Sequence, residues 1–490
     1  MTGVSKHFNE VQALDKVDLH VENGTIHALV GENGAGKTTL MRILFGAIQA
    51  DSGSIEINGV VTRLADSKQA IQAGIGMVSQ HYGIIPELSC LQNLILGAEG
   101  GPFLRGTLVA RAKELAGQTG FAFDWNAPAE SLSPSGAQKL EILKLLWRNA
   151  AVMILDEPTA MLSPADSEAL FQSLHGLASQ GATVILVTHR LPEVLDHCTR
   201  VTVLRGGRRV GEMPVAATDQ RELANLIVGG SVAEPSPRGG TLGADMLSVT
   251  GLGAGSRSGK KLKFADLSVK SGEIVGIAGV DGSGQRELFQ AIAGISKSDE
   301  GTVTLRGEEI TRRTAAERIE SGIRLIPEDR NQEGLVMDWS LEENAALGLQ
   351  RLPPFAKGRA IDVAGRRRAS LSIADRFDTK HSGLSSPAGS LSGGNQQRFV
   401  AGRALSVDPK LILAFHPSRG LDISGTIQLY EGIRQVCARG AGALVVSFDL
   451  DELLEHCDRV LAMYQGQLIE PPAGKGLDRE TIGHLMVGAR

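Results

Sequence analysis

The chain carries the segment Leu29-Val30-Gly31-Glu32-Asn33-Gly34-Ala35-Gly36-Lys37-Thr38-Thr39-Leu40, entered through the apolar run Ile26-His27-Ala28-Leu29-Val30. A Gly-x4-Gly-Lys-Thr spacing between a strand and a helix leaves few folds open. The glycines let the backbone curl until successive N–H groups point inward, and the helix that follows turns its positive end toward an anion. The spacing predicts a nucleotide site in which Gly31, Asn33, Gly34, Ala35, Gly36, Lys37, Thr38 and Thr39 line the phosphates. Lys37 would reach the β- and γ-phosphates, and the Thr38 hydroxyl would sit on Mg²⁺. The loop alone does not choose among kinases, GTPases and transport ATPases.

The chain is written twice. Gly279-Val280-Asp281-Gly282-Ser283-Gly284-Gln285-Arg286 repeats the glycine spacing 248 residues after Gly31, and Glu328 stands 248 residues after Gln80. Leu391-Ser392-Gly393-Gly394 follows Leu132-Ser133-Pro134-Ser135 by 259 residues, as His456-Cys457 follows His197-Cys198. A single insertion of 11 residues in the second half would reconcile the two offsets. The repeat predicts one domain over 1–233, a Pro/Ser/Gly-rich linker over 234–245, and a second domain over 246–490. The second half opens on Met246 to Thr250 before Gly251, whereas only Met1-Thr2 precedes Gly3. That difference predicts either a start upstream of Met1 or a missing edge strand.

Each half reads as α/β. A β-rich opening (Val17 to Val21 and Ser54 to Ile57) surrounds the loop, a helical segment spans about 89–150, and continuous apolar strands follow at Val152 to Leu155 and Thr183 to Val187. Unbroken Val/Ile/Leu runs between helices signal a buried parallel sheet. At 490 residues the chain is too long for one core. A net charge of -5, with no basic tract interleaved with aromatics, argues against nucleic acid as the main partner. No run of about 18 apolar residues or signal pattern occurs. The four cysteines have no C-x-x-C spacing, which suggests reduced thiols in the cytoplasm.

The strand at Val152 ends in Asp156-Glu157-Pro158-Thr159. After a phosphate loop, one carboxylate at such a strand end can hold the Mg²⁺ shell and the next can polarise the attacking water. Asp156 is therefore expected as the metal-shell residue, beside Thr38 and Gln80, and Glu157 as the general base. His189 ends the next strand, where it could contact the γ-phosphate and Glu157. Gln80, after Gly76-Met77-Val78-Ser79, could sense the γ-phosphate and Mg²⁺. Phe8 is either a stacking platform for adenine or a core residue.

Leu391-Ser392-Gly393-Gly394-Asn395-Gln396-Gln397-Arg398 makes the resemblance specific. With the first loop and Leu155 to Thr159, it is similar to the signature set of the ABC ATPases, and the similarity spans nearly the whole chain. The resemblance implies two tandem ABC-type P-loop ATPase domains, each a mainly parallel sheet core with an antiparallel β subdomain and a helical subdomain. It implies that two such domains close head to tail on ATP, the signature of one (Ser392, Gly393, Gly394, Gln396) gripping the γ-phosphate held by the loop of the other. It also implies two integral membrane permease subunits, docked in grooves near Gln80 and Glu328, an extracytoplasmic solute-binding protein, and a peripheral place on the cytoplasmic face of the membrane.

The halves differ in opposite ways. Lys37, Thr38, Gln80, Asp156, Glu157 and His189 become Gln285, Arg286, Glu328, Phe415, His416 and Phe448, whereas the first half's signature is the altered one, with Pro134 and Ser135. Head-to-tail pairing would unite the two intact motifs in one hydrolytic site and the two altered ones in the other. The stretches Ile326-Pro327-Glu328-Asp329-Arg330 and Pro417-Ser418-Arg419-Gly420-Leu421-Asp422 resemble duplicated ATP-binding subunits of bacterial importers for simple sugars and nucleosides. Phe415-His416 looks most like the nucleoside branch. A pentose or hexose importer is the alternative, and a soluble tandem ABC protein a more distant one.

Overall fold

The computed structural model describes residues 1–9, 11–79, 83–97, 105–119, 121–132, 134–159, 162, 164–230, 242–255, 261–280, 282–358, 360–472, 474, 477–486 and 488. The chain separates into two compact units, Met1–Val232 and Ala233–Arg490.

The first unit is built on a six-stranded sheet ordered Arg208–Pro214, Arg200–Arg205, Ile26–Gly31, Thr183–Val187, Val152–Asp156 and Ile75–Val78. All neighbours but the first pair are parallel. Every residue of Ile26–Gly31 and of Thr183–Val187 is buried, which is why these strands read as unbroken apolar runs. A three-stranded antiparallel sheet of Val11–Val17, Thr2–Phe8 and Ser52–Ser54 packs beside it. The strand read at Val17 to Val21 therefore ends where it was expected to begin. Lys16, with φ 48°, is a left-handed residue inside the strand, one position before its end. The helical segment resolves into Cys90–Ile95, Arg105–Gln118 and Pro134–Trp147.

The second unit repeats this plan in one ten-stranded sheet whose parallel part runs Arg459–Tyr464, Ile274–Ala278, Gly442–Val446, Leu411–Phe415, Ile323–Ile326. Its antiparallel part contains the 11-residue strand Asp245–Gly255, against seven residues in Thr2–Phe8. Apolar clusters cover both sides of the sheet, one around Phe399 and Phe355 and one around Phe289 and Leu288.

Local sequence repeats wherever geometry must. Ser89 with Gln92 and Ser340 with Glu343 form matching capping boxes. Asn93 and Asn344 are both fully buried, each amide stitching the preceding loop to its helix through carbonyls. These pairs also correct the single insertion. Ser89 bridges Pro128 and Ser340 bridges Pro387, so the offset is already 251 at Ser340 and reaches 259 at Pro387. Three of the extra residues precede Ser340, in the region of the helical turn Arg330–Gly334. Eight lie between Ser340 and Pro387, where the hairpin Ala356–Lys357/Ala360–Ile361 has been added.

Candidate functional site

The first phosphate loop adopts the curl its glycines anticipate. Gly36 has φ 99°, and a Cβ there would meet Leu14 Cδ2 at 2.6 Å and the Ala13 carbonyl at 2.7 Å, so only glycine fits. Gly34 has φ 83°, and its side-chain direction opens on empty space. Ala35 N–H closes the turn on the Glu32 carbonyl at 3.1 Å. The helix Lys37–Leu44 starts at Gly36, buries Leu40, Met41, Ile43 and Leu44, and leaves Thr38 exposed. Lys37 Nζ donates to the carbonyls of Gly31 at 2.6 Å and Glu32 at 2.9 Å, which lays the ammonium across the loop. Asn33 is exposed and Thr39 half-buried on the same turn.

Two strand ends converge on this loop. Thr38 Oγ1 donates to Asp156 Oδ2 at 3.2 Å, although the two residues are 118 positions apart. His189 Nδ1 and Glu157 Oε1 are 2.9 Å apart. Glu157 holds a left-handed φ of 52° while its N–H continues the ladder to the Val187 carbonyl at 2.8 Å. Such strain in a non-glycine residue costs on the order of 1 kcal/mol and turns the carboxylate out of the sheet. Burial pushes the Asp156 carboxyl up to about 6, with the neighbouring Glu157 charge adding to it and Thr38 and Lys37 opposing. Burial also pushes Glu157 up, but the His189 hydrogen bond and charge, then Lys37 and Arg190, outweigh it and leave its carboxyl below the usual range. Adjacent carboxylates are thereby driven apart, the usual mark of divided labour. The donor set, a hydroxyl beside a carboxylate at a phosphate loop, suits a hard cation such as Mg²⁺. Gln80 lies outside the described residues. Phe8 is 46% exposed, with Lys6 Nζ 5.6 Å from its ring centre, so it lies at the surface and not in the core.

The equivalent positions of the second unit keep the backbone and lose the chemistry. Gly282 and Gly284 have φ 77° and 116°, and His416 repeats the left-handed φ at 46°. Gln285 is buried and donates to the Val280 carbonyl at 3.1 Å. Arg286 bonds Glu328 at 2.5 Å and Glu333 at 3.1 Å, and Arg419 lies 3.5 Å from Glu328. Protein charges thus occupy the neighbourhood that a metal and phosphates would require. Phe415 meets Phe289 edge-on at 5.4 Å, and His416 lies against Phe448 at 4.0 Å. His416 Nδ1 accepts the Phe448 N–H at 3.4 Å, and burial pushes its imidazole down to about 3, so it is a poor base. A cavity of about 560 Å³ opens beside Arg286, Glu328 and Phe415, with Leu347, Gly348 and Gln350 on its far wall.

The second unit's signature opens the helix Gly393–Ala404, capped by the Ser392 hydroxyl. A Cβ at Gly393 would meet Arg330 Nη2 at 2.5 Å, and one at Gly394 the Gly420 carbonyl at 3.3 Å. Gln396, expected at the nucleotide, is buried. Its oxygen accepts from Arg330 Nε at 3.2 Å and its amide donates to the Leu391 carbonyl at 3.2 Å, so it braces the signature from behind. In the first unit, Ser133 lies outside the described residues, and the helix begins at Pro134.

Sequence reasoning missed the brace beneath His189. Glu193 accepts from Thr159 at 2.6 Å and from Thr188 at 3.2 Å, tying the end of one catalytic strand to the next. Glu452, 259 residues later, accepts from Ser447 at 2.7 Å. The signal is present in the repeat, which keeps this glutamate while replacing Asp156, Glu157 and His189 around it.

A phosphate loop, a strand-end acid pair and a helix-capping signature on duplicated sheets define an ABC ATPase, and this chain belongs to the ABC transporter family, whose domain profile matches it over residues 14–160 and again over 262–418. Its domains are ATP-binding domains of a transport ATPase. It is 37% identical to a glucose import ATP-binding protein of Haloferax volcanii, covering 100% of this chain and 95% of that protein. It is 36% identical to a nucleoside import ATP-binding protein of Lactococcus lactis subsp. cremoris (100% and 97%) and 38% identical to a ribose import ATP-binding protein of Streptomyces avermitilis (99% and 92%). In fold it is similar to an archaeal ribosome recycling factor solved with the ribosomal stalk protein, with a TM-score of 0.69 at 17% identity over 98% of this chain and 92% of the other.

Proposed function

We propose that the chain is the ATP-hydrolysing subunit that energises import of a nucleoside or simple sugar through two integral membrane permease subunits, fed by an extracytoplasmic solute-binding protein. The observation that carries this reading is the opposite assortment of intact and altered motifs. Thr38, Asp156, Glu157 and His189 converge in the first unit, the intact Ser392-Gly393-Gly394 belongs to the second, and each complementary motif is altered. Head-to-tail closure then gives one hydrolytic site, formed by the first loop and the second signature. The relatives that match along the whole chain are import subunits for both solute classes, and the nucleoside preference rests on Phe415-His416.

In the competent site, the loop N–H groups and Lys37 hold the phosphates, and Ser392 with the N–H groups of Gly393 and Gly394 covers the γ-phosphate from the other unit. Mg²⁺, when bound, neutralises phosphate charge through Thr38, Asp156 and Gln80. Glu157 accepts the proton of the attacking water, and His189 holds that carboxylate in place. Phe8 stacks on the adenine. The cavity beside Glu328 is the natural seat for a permease segment, which supports peripheral association with the membrane. Among the described residues no helix is long and apolar enough to cross a membrane.

The test is to purify the tagged chain from solubilised membranes with its partners, add the binding protein, and follow ATP hydrolysis against nucleosides and monosaccharides. Stimulation by nucleosides selects that branch, and stimulation by a pentose or hexose selects the other. Recovery of no membrane subunit, with no response to any solute, would remove the importer reading.

A further inference from the structure

The second unit carries a hairpin, Ala356–Lys357/Ala360–Ile361, with no counterpart among the first unit's described residues, and its charge is out of keeping with the rest of the chain. Residues 351–372 carry six basic side chains against one acidic, in a protein whose net charge is -5. The first unit's corresponding stretch, 99–114, carries three basic and two acidic. The helix Val363–Arg376 turns its buried side, Gly365, Ser370, Ile373 and Ala374, toward the core. Val363, Arg367 and Leu371, each one helical turn apart, form its outer row, with Arg368 beside them, all exposed. Ile361 and Val363 are 65% and 63% exposed, and the Lys357 side chain 81%. Lys357 lies 3.0 Å from Asp362 and Arg367 lies 3.9 Å from Glu342, pairs whose carboxylates are largely covered while the Lys357 and Arg367 side chains stay in water.

We propose that this face rests on the anionic surface of a lipid bilayer. A face that alternates basic with bare aliphatic side chains matches a headgroup layer, where cations meet lipid phosphates and aliphatic tips enter the acyl boundary. It offers no aromatic platform to nucleic acid. The rest of the chain is more acidic still, so an anionic leaflet repels it and attracts this face, which orients the molecule as well as binding it. Arg351 follows directly on Gln350 of the cavity wall, so the basic face continues from the groove proposed for the permease. The inference goes beyond the importer reading, and its test needs no permease.

The full purified chain is sedimented with vesicles of phosphatidylcholine alone or mixed equally with phosphatidylglycerol. Binding is expected only to the mixed vesicles and to weaken with salt. Each basic group near such a surface strengthens binding about fivefold, so K357Q/R367Q/R368Q should lower partitioning on the order of 100-fold. The equally exposed set R63Q/K297Q/R312Q should change it by less than about fivefold. I361S/V363S should reduce the binding that survives high salt. An unchanged thermal transition certifies that each variant is folded. No preference for phosphatidylglycerol, or equal losses in the two charge sets, overturns the proposal. Partitioning into the mixed vesicles that K357Q/R367Q/R368Q leaves unchanged would also overturn it.

Discussion

At the scale of single residues, the molecule separates two carboxylates that are adjacent in the chain. Asp156 points into the sheet end beside Thr38, and Glu157, thrown out by its left-handed φ, meets His189. Glu157→Gln is expected to lower the turnover number on the order of 10²–10³-fold with ATP binding kept, because the lost group acts in the transition state. His416→Ala should leave turnover within about twofold, since that imidazole is a packing residue with depressed basicity. Comparable losses in single-turnover assays of the two variants would remove the one-site mechanism. Asp156 also makes a stability prediction. The unfolded chain releases this proton near 3.8 and the folded chain only near 6, so the unfolded state gains on the folded state as pH rises through that window. The cost above it is about 2–3 kcal/mol without metal. Asp156→Asn should therefore be more stable than the wild type by about 1–3 kcal/mol in Mg²⁺-free buffer near pH 7. Urea unfolding should show the difference fading toward pH 3, below both titrations. An equal gap at both pH values would mean that ionising Asp156 is not what separates them.

At the scale of elements, the loop-to-helix joint is set by two glycines with different constraints. At Gly34 a methyl group meets nothing, so Gly34→Ala costs only the left-handed strain, about 1–2 kcal/mol. At Gly36 the same methyl strikes Leu14 and the Ala13 carbonyl as well, and Gly36→Ala should cost a further 1–3 kcal/mol or so and abolish nucleotide binding. Denaturant midpoints and ATP titration of the two variants check the order, and a more damaging Gly34→Ala would contradict the geometry. The same elements show what a lone sequence conveys. The loop and the buried strand runs are local patterns, and they are legible in the sequence; the capping boxes at Ser89 and Ser340 emerge only with the structure. The strand expected at Val17 to Val21 is not, because Val17 is the last residue to pair with the neighbouring strand, at Val4, and pairing across strands is not a local pattern. The eleven-residue insertion was counted correctly but placed once instead of twice, since offsets report a sum and only the Ser340 to Pro387 bridge divides it. Gln396 belongs to the signature by sequence, and only the structure shows its contacts with Arg330 and Leu391.

At the scale of the whole molecule, the two units carry one reaction between them under the proposed head-to-tail pairing. A change in the second unit's signature should then silence hydrolysis at the first unit's loop. Ser392→Ala is expected to lower the hydrolysis rate on the order of 10-fold to 100-fold, and Gly394→Asp more, while Pro134→Ala changes it by less than about twofold. Steady-state ATPase assays on the intact chain decide, and equal losses from the two signatures would mean that the altered pair still turns over. What the sequence determined by itself was everything that spacing can express: a duplicated α/β ATPase, a phosphate loop, a strand-end acid pair, a signature, and motifs lost in complementary halves. Those features follow from short stretches whose backbone conformation is dictated by glycine, proline and apolar period. Only the tertiary structure decided which side chains meet: Thr38 with Asp156, His189 with Glu157, Glu193 beneath both strand ends, and Arg286 with Glu328 and Glu333 at the second loop. Such pairings join residues that lie far apart along the chain, and burial then sets their charge. The energies involved depend on distances and on exclusion of water, which no count along the chain contains.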